Sequence, residues 1–324
     1  MFQRWQTWVA ACLIAVILLL ALFAPYISPP DDPDHPRPLQ KAADTTNNAI
    51  PQPPTREALF GTTPHQFDVF HTVVWGTREA VLYGLGVTLI TAMIGTLIGA
   101  ISAYIGGFLN NIFSRFTDAF LAFPLIAAIP LMQLYYRVVF ATVFPPHLSE
   151  SFQIAGMPAF QLAEGEIQLY IQLMFVIFTR VNPFTLALIL FAWIPYARLV
   201  NDQILRLKKY DFVLAARSIG ATNLRIIGRH LLPNSYTPIV VWATKSIGGL
   251  VILQATFTYI GLGGGSSWAS LLSIGKDWII GPGGNLFAHW WVYLPITAAI
   301  ILFGFAWNWL GDELNIWLNP RETR

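Results

Sequence analysis

The chain has 324 residues, of which 55% are hydrophobic and only 11% are Asp, Glu, Lys or Arg, against about 25% charged in an ordinary soluble domain. So few charges do not clothe a water-facing surface, which excludes a disordered protein, a coiled coil and most soluble enzymes. The formal net charge of +2 says little as a total, so the placement of the basic residues has to carry the argument.

Residues 5–27 hold no charge and include the continuous apolar stretch 9–23 with the single Cys12, so neither an internal disulfide nor a Cys-based zinc site is available. A cleavable signal asks for small residues at two recognition positions and no Pro just past the cut. Leu22 and Ala24 followed by Pro25 do not meet that, and about 20 apolar residues span a ~30 Å hydrocarbon layer, so the run is read as a retained helix. The segment 28–66, with Pro29, Pro30, Asp31, Asp32, Pro33 and Asp34, reads as irregular and external. Residues 80–114 are uncharged, and their centre, 81–105, makes a second span in which Gly95 and Gly99 form a small-xxx-small pair that lets helices approach closely. A third span is predicted over 119–136 with Pro124 and Pro130 inside it, then others over 184–197, 235–259 and 290–310. The 12 Trp suit many helix ends at a membrane interface.

Thirteen uncharged residues, 167–179, reach only about 20 Å as a helix. Orientation decides their status. Arg198, Arg206, Lys208, Lys209, Arg217, Arg225 and Arg229, seven of the 19 basic residues, fall between the fourth and fifth spans, which makes that loop cytoplasmic. With Arg4 also inside, letting both 167–179 and 184–197 cross would export the most basic stretch of the chain. The expectation is therefore an all-α polytopic membrane protein with six transmembrane helices and both termini cytoplasmic, and 167–179 as an interfacial helix or an outer extension of the fourth span. Its parts are an N-terminal helix (1–27), an external segment with a short amphipathic helix (28–79), a core of five spans (80–310) with an external insertion at about 133–183 and a cytoplasmic loop at 198–233, and a cytoplasmic tail (311–324).

That loop contains YDFVLAARSIG from Tyr210 to Gly220, followed by ATNLRIIGRHLLPN. Two short helices about a Gly break are predicted, with Phe212, Val213, Ala216 and Ile219 sharing one face and Leu224, Ile227 and Leu231 beginning a second stripe. Small side chains at Ala215 and Ala216 permit close approach by another protein, Gly220 a sharp change of direction, and Pro233 a return into the membrane. By spacing alone two readings stand: a docking element for a partner, or a basic loop lying against lipid headgroups.

The spacing Ala215-Ala216, three residues, Gly220, nine residues, then His230 with Leu232-Pro233 resembles the EAA motif of ABC importer permeases, the cytoplasmic coupling helix. The motif's leading Glu is Leu214 here. The segments LFGTTPHQFDVFHTVVWGTREA, FTDAFLAFP, FTYIGLGGGSSWASLL and NWLGDELNIWLNPR are similar to those of the dipeptide, oligopeptide and nickel permeases, in particular their second permease subunit. The usual acidic residue after Gly-Thr is Thr63, and the usual Gly-Arg before Asp is Gln66-Phe67. The resemblance implies a type I ABC importer permease fold in the inner membrane. The partners it implies are a second homologous permease, two ATP-binding subunits that hold ATP and Mg, an extracytoplasmic substrate-binding protein and the bilayer, with no nucleic acid. It implies peptides as cargo, with metal chelates and saccharides occurring in the same branch. Tyr210, Asp211, Leu214, Ala215, Ala216, Gly220, His230 and Pro233 are the ATPase-coupling residues it assigns. No GxxxxGK[ST] phosphate loop is present, since Gly261–Ser267 lacks the Lys, so the chain is not expected to be an enzyme or to bind a cofactor itself.

Counting from Ser235 at 1.5 Å per residue puts Lys245 about 15 Å into the bilayer. Two roles are open: a structural partner for a carboxylate of the second permease or for Trp242 by cation–π contact, or a pathway group that attracts a solute carboxylate. An ion-coupled secondary transporter or channel using Lys245 is the alternative class, and it predicts an inverted repeat and intramembrane carboxylates that the sequence does not display. His65, Asp68 and His71 are read as polar side chains facing water ahead of helix two rather than as a metal site. Asp118 is expected to pair with Arg115 at i−3. Glu164 with Glu166, and Asp312 with Glu313, are read as solvated loop and tail residues, and Ser266, Ser267 and His289 lack the third member of a hydrolase triad.

Overall fold

In the computed structural model residues 2–42, 50–122, 124–143, 182–281 and 284–318 are described, and every regular element among them is helical. The expected elements at 144–181, including 167–179, Glu164 and Glu166, lie outside the described residues, as does most of the 133–183 insertion. Among the described residues five helices are long and apolar enough to cross a membrane, or six if one bent pair counts as a single span.

Helix α1, Phe2–Ile27, packs its small face, with Ala10 and Ala24 buried, on the bundle. Helix α2, Val69–Ile105, is longer than the predicted second span, because the short helix expected ahead of it is its own first turns. Asp68 caps it, accepting from the His71 N–H at 3.1 Å, which satisfies one of the orphan donors of a helix start. Two isolated β-bridges, Lys41 with Phe67 and Thr62 with Asp68, tie the preceding segment to this cap.

The predicted third span is broken. Helix α3, Gly107–Ala122, and helix α4, Leu125–Val143, meet at a bend of 94°. Pro124 has no N–H to continue α3 and disfavours helix at the residue before it. Its carbonyl instead accepts from Ala127 and Ala128 and so opens α4. The inner Pro130 is absorbed within α4.

Helix α5, Pro183–Leu207, starts with Pro at its first position and Asn182 as its cap, the Asn182 side chain accepting from the Phe184 N–H at 2.9 Å. It overruns the predicted 184–197, so the first residues of the expected cytoplasmic loop are helical. Gly95 and Gly99 explain how α5 lies on α2: a Cβ on Gly95 would collide with the Trp193 carbonyl oxygen, and one on Gly99 with that of Ala197. Hydrogen atoms at these positions bring two backbones together.

After α5 come α6, Asp211–Ser218, and α7, Asn223–Ile226, which runs through a π-helical stretch, Ile227–Leu231, into α8, Leu232–Tyr259. After α8, α9, Ser267–Gly275, precedes the last helix, α10, Trp290–Leu318. Trp268 of α9 is buried against α2 where Gly76 leaves room for its indole, and donates to the Val73 carbonyl at 3.3 Å. Ser267 donates to the Glu79 carboxylate from its hydroxyl and, at 3.3 Å, from its amide. The core divides along the bundle: one cluster gathers Val69, Val81, Val251, Trp268 and Phe303, and a second gathers Ala103, Val200, Ile204, Val213, Ile226 and Leu231.

Candidate docking site at the 210–233 segment

Helix α6 begins where Lys209 and Tyr210 close the end of α5 with turn bonds to Arg206 and Leu207. Tyr210 stands at its N-cap, half exposed, and Asp211 occupies the first turn, where a carboxylate complements the helix dipole. The helix ends at Gly220, whose φ of 80° is the left-handed conformation that glycine takes without strain. Gly220 N–H donates to Arg217 and Ala221 N–H to Ala216, both at 3.0 Å.

The single apolar face predicted for α6 is split. Val213 and Ala216 are buried in the cluster formed with Ala103, Val200 and Ile204, whereas Phe212 and Ile219 point away from it. Phe212, one position from Val213, lies about 100° round the helix, and Ile219 is the C-cap residue past the last turn of α6, so neither continues the Val213–Ala216 stripe. Leu214, in the place of the motif's Glu, is 50% exposed, Ile219 86% and Leu224 82%. A cleft of about 560 Å³ opens between the arms of this elbow, lined by Phe212, Ala215, Gly220, Arg225, Arg229 and His230. The His230 ring stands 6.5 Å from that of Phe212, and Pro233 lies in the first turn of α8. Of the coupling residues named from sequence, Ala215, Ala216, Gly220 and His230 line one cleft, while Tyr210, Asp211, Leu214 and Pro233 are not on its walls.

Lys245 is not part of that assembly. Its ammonium lies 2.5 Å from the Asp312 carboxylate of α10, with the aliphatic stem laid over Gly311. Within this chain, its partner is thus a carboxylate of the last helix rather than the Trp242 ring. Asp312 and Glu313 correspondingly sit in the last turns of α10 rather than in a solvated tail, and Glu313 is buried and accepts from the Thr7 hydroxyl of α1 at 2.5 Å. Asp118 pairs with Arg198 of α5 at 2.6 Å instead of with Arg115. His71, expected at the surface, is buried between the Ser28 hydroxyl at 2.8 Å and the Arg37 carbonyl at 3.0 Å, and stacks on Trp75. Since a carbonyl only accepts, Nε2 carries a proton, while the Ser28 hydroxyl, both donor and acceptor, completes Nδ1. Ser266 caps α9, and His289 lies between the rings of Trp278 and Trp291.

Several residues at this site escape sequence reasoning. Tyr104, in the last turn of α2, donates from its hydroxyl to Asn223 Oδ1 of α7 at 2.7 Å, and the Arg217 guanidinium of α6 lies 5.3 Å from its ring centre. Lys208 caps α2 through the Ala103 carbonyl at 3.0 Å, and Asn201 donates to Asn110 at 2.7 Å. These partners lie about a hundred positions apart in the chain, beyond any local pattern. A second cleft, about 480 Å³ and apolar, opens beside the α3–α4 bend, with Phe120, Phe191, Tyr196, Trp242 and Leu250 on its walls.

Residues 95–321 match the profile described as binding-protein-dependent transport system inner membrane component. The chain is also 27% identical over 96% of its length to a probable D,D-dipeptide transport system permease protein of Escherichia coli, covering 86% of that protein. It is 29% identical, over 95% of its length and 86% of the relative, to a putative peptide transport system permease protein of Brucella suis. An oligopeptide transport system permease protein of Bacillus subtilis is 27% identical over 97% of the chain and 85% of its own length. The match covers the bundle from the last third of α2 through α10, with the 210–233 elbow near its centre, and so the chain belongs to the binding-protein-dependent transport system inner membrane components, as a multi-pass permease of an ABC importer.

Proposed function

We propose that this permease carries peptides, forming one half of the solute pathway beside a second homologous permease and taking its movement from two ATP-hydrolysing subunits that dock on the elbow 210–233. An extracytoplasmic binding protein delivers the solute, and ATP and Mg belong to the partner subunits. The observation that carries the docking is the two-sidedness of α6 and α7. Val213, Ala216 and Ile226 are anchored in the bundle core while Leu214, Ile219 and Leu224 face outward. Exposed apolar side chains on a rigid, anchored element are the signature of a protein-binding face. Peptide cargo is supported by the names of the relatives. The pathway wall we assign is the aromatic cleft beside the α3–α4 bend, since the pair with Asp312 already occupies the Lys245 ammonium.

The test is purification of the tagged chain with its co-expressed partners, identification of the subunits, and uptake of labelled peptides into proteoliposomes loaded with ATP. ATP-dependent peptide uptake is expected. Uptake driven by a proton or sodium gradient without ATP would replace this reading with an ion-coupled transporter.

A further inference from the structure

Rotation at the elbow is governed by little near its apex. A Cβ at Gly220 would meet no atom within 4 Å. The backbone bonds from Gly220 and Ala221 back to Arg217 and Ala216 fix the end of α6 but not the heading of α7. The apolar anchors Val213, Ala216 and Ile226 hold both arms to the bundle, yet apolar contact is non-directional. Tyr104 supplies direction to both arms: its ring faces Arg217 of α6, and its hydroxyl donates to Asn223 of α7. It stands at the end of a helix already tied to α5 by the Gly99 contact and by Lys208, so it is a fixed post.

We propose that Tyr104 is a positioning residue that locks the two arms of the docking elbow at one angle and joins them to α2. A push on α6 then moves α2 with α5 in the same step in which α7 moves α8. Without that post the arms keep only their non-directional apolar anchors and the chain on either side, and the angle between them varies during the push. The proposal rests on the docking role given to the elbow above.

The complete complex is reconstituted with wild-type, Tyr104→Phe, Asn223→Leu and Asn223→Asp chains, and ATP hydrolysis and solute uptake are measured together. The expected result is a drop of about three- to tenfold in solute delivered per ATP for Tyr104→Phe and Asn223→Leu, the factor one net hydrogen bond carries. Asn223→Asp keeps an acceptor for the Tyr104 hydroxyl and is expected to restore the ratio. Spin labels at Ser218 and Leu224 in a Cys12→Ser background should give a narrow distance distribution that broadens in Tyr104→Phe. An unchanged ratio in Tyr104→Phe and Asn223→Leu overturns the proposal. So does a parallel fall of hydrolysis and uptake that follows the amount of assembled complex, which is what a merely structural role gives. Absence of ATP-dependent uptake by the wild-type complex is a separate result, and it overturns the underlying docking role.

Discussion

Lys245 of α8 and Asp312 of α10 hold their charges 2.5 Å apart across a helix pair whose backbones approach closely enough that a Cβ on Gly248 would lie 3.1 Å from the Gly304 carbonyl oxygen. The lysine stem runs along Gly311 toward the C-terminal end of α10, so the ammonium snorkels away from the apolar middle of α8.

Removing one partner leaves an uncompensated charge beside the bilayer, whereas removing both does not. Lys245→Met and Asp312→Asn are each expected to lower the melting temperature of the purified permease by a few degrees, and the double variant Lys245→Met/Asp312→Leu to recover most of that loss. Solute KM should shift equally little in both single variants. A KM change confined to Lys245→Met would instead assign the ammonium to the solute pathway.

Gly220→Pro demands φ near −65° where the chain holds 80° and deletes the N–H that donates to Arg217. Ala216→Glu buries a carboxylate in the cluster with Ala103 and Val200. Both are expected to abolish ATP-driven uptake while the protein still inserts, measured by vesicle transport alongside quantitation in the membrane fraction. Normal transport by both would remove the coupling assignment.

Contact between Gly99 and the Ala197 carbonyl makes α2 and α5 one body. Gly99→Val is expected to force them apart at a cost of about 1–3 kcal/mol, typical of overpacking, seen as a lower unfolding temperature in detergent. Gly86, whose added Cβ would meet nothing within 4 Å, provides the control: Gly86→Ala should leave that temperature unchanged or raise it slightly.

Asp68, ahead of the first membrane helix turn of α2, has its carboxyl pushed above the ordinary 3.8 by burial, opposed by the N–H groups of His71 and Phe70 that it accepts from. A folded value above the unfolded one means the folded state binds the proton more tightly. The associated stability is complete below 3.8 and is lost as pH rises through the raised value. Asp68→Asn keeps a capping acceptor and should remove that pH dependence, leaving a melting temperature at neutral pH equal to or above wild type. Asp68→Ala loses the cap, at about 1 kcal/mol.

Hydropathy, the distribution of Lys and Arg, and the Pro and Gly punctuation determined by themselves the helical class, most of the membrane spans, the short helices about Gly220 and the family motif that marks the elbow. These features are local sums or fixed spacings, so one chain read in order contains them. The packing role of Gly95 and Gly99 was legible as a small-residue pair, but not its partner α5. Only the tertiary structure decided that the third span bends by 94° at Pro124, that Asp118 pairs with Arg198 and Lys245 with Asp312, that His71 is buried, and that Tyr104 reaches both arms of the elbow. Each depends on which face of one helix meets which face of another. That is set by close packing between elements far apart in the chain, and no local pattern encodes the direction in which a given side chain finds its partner.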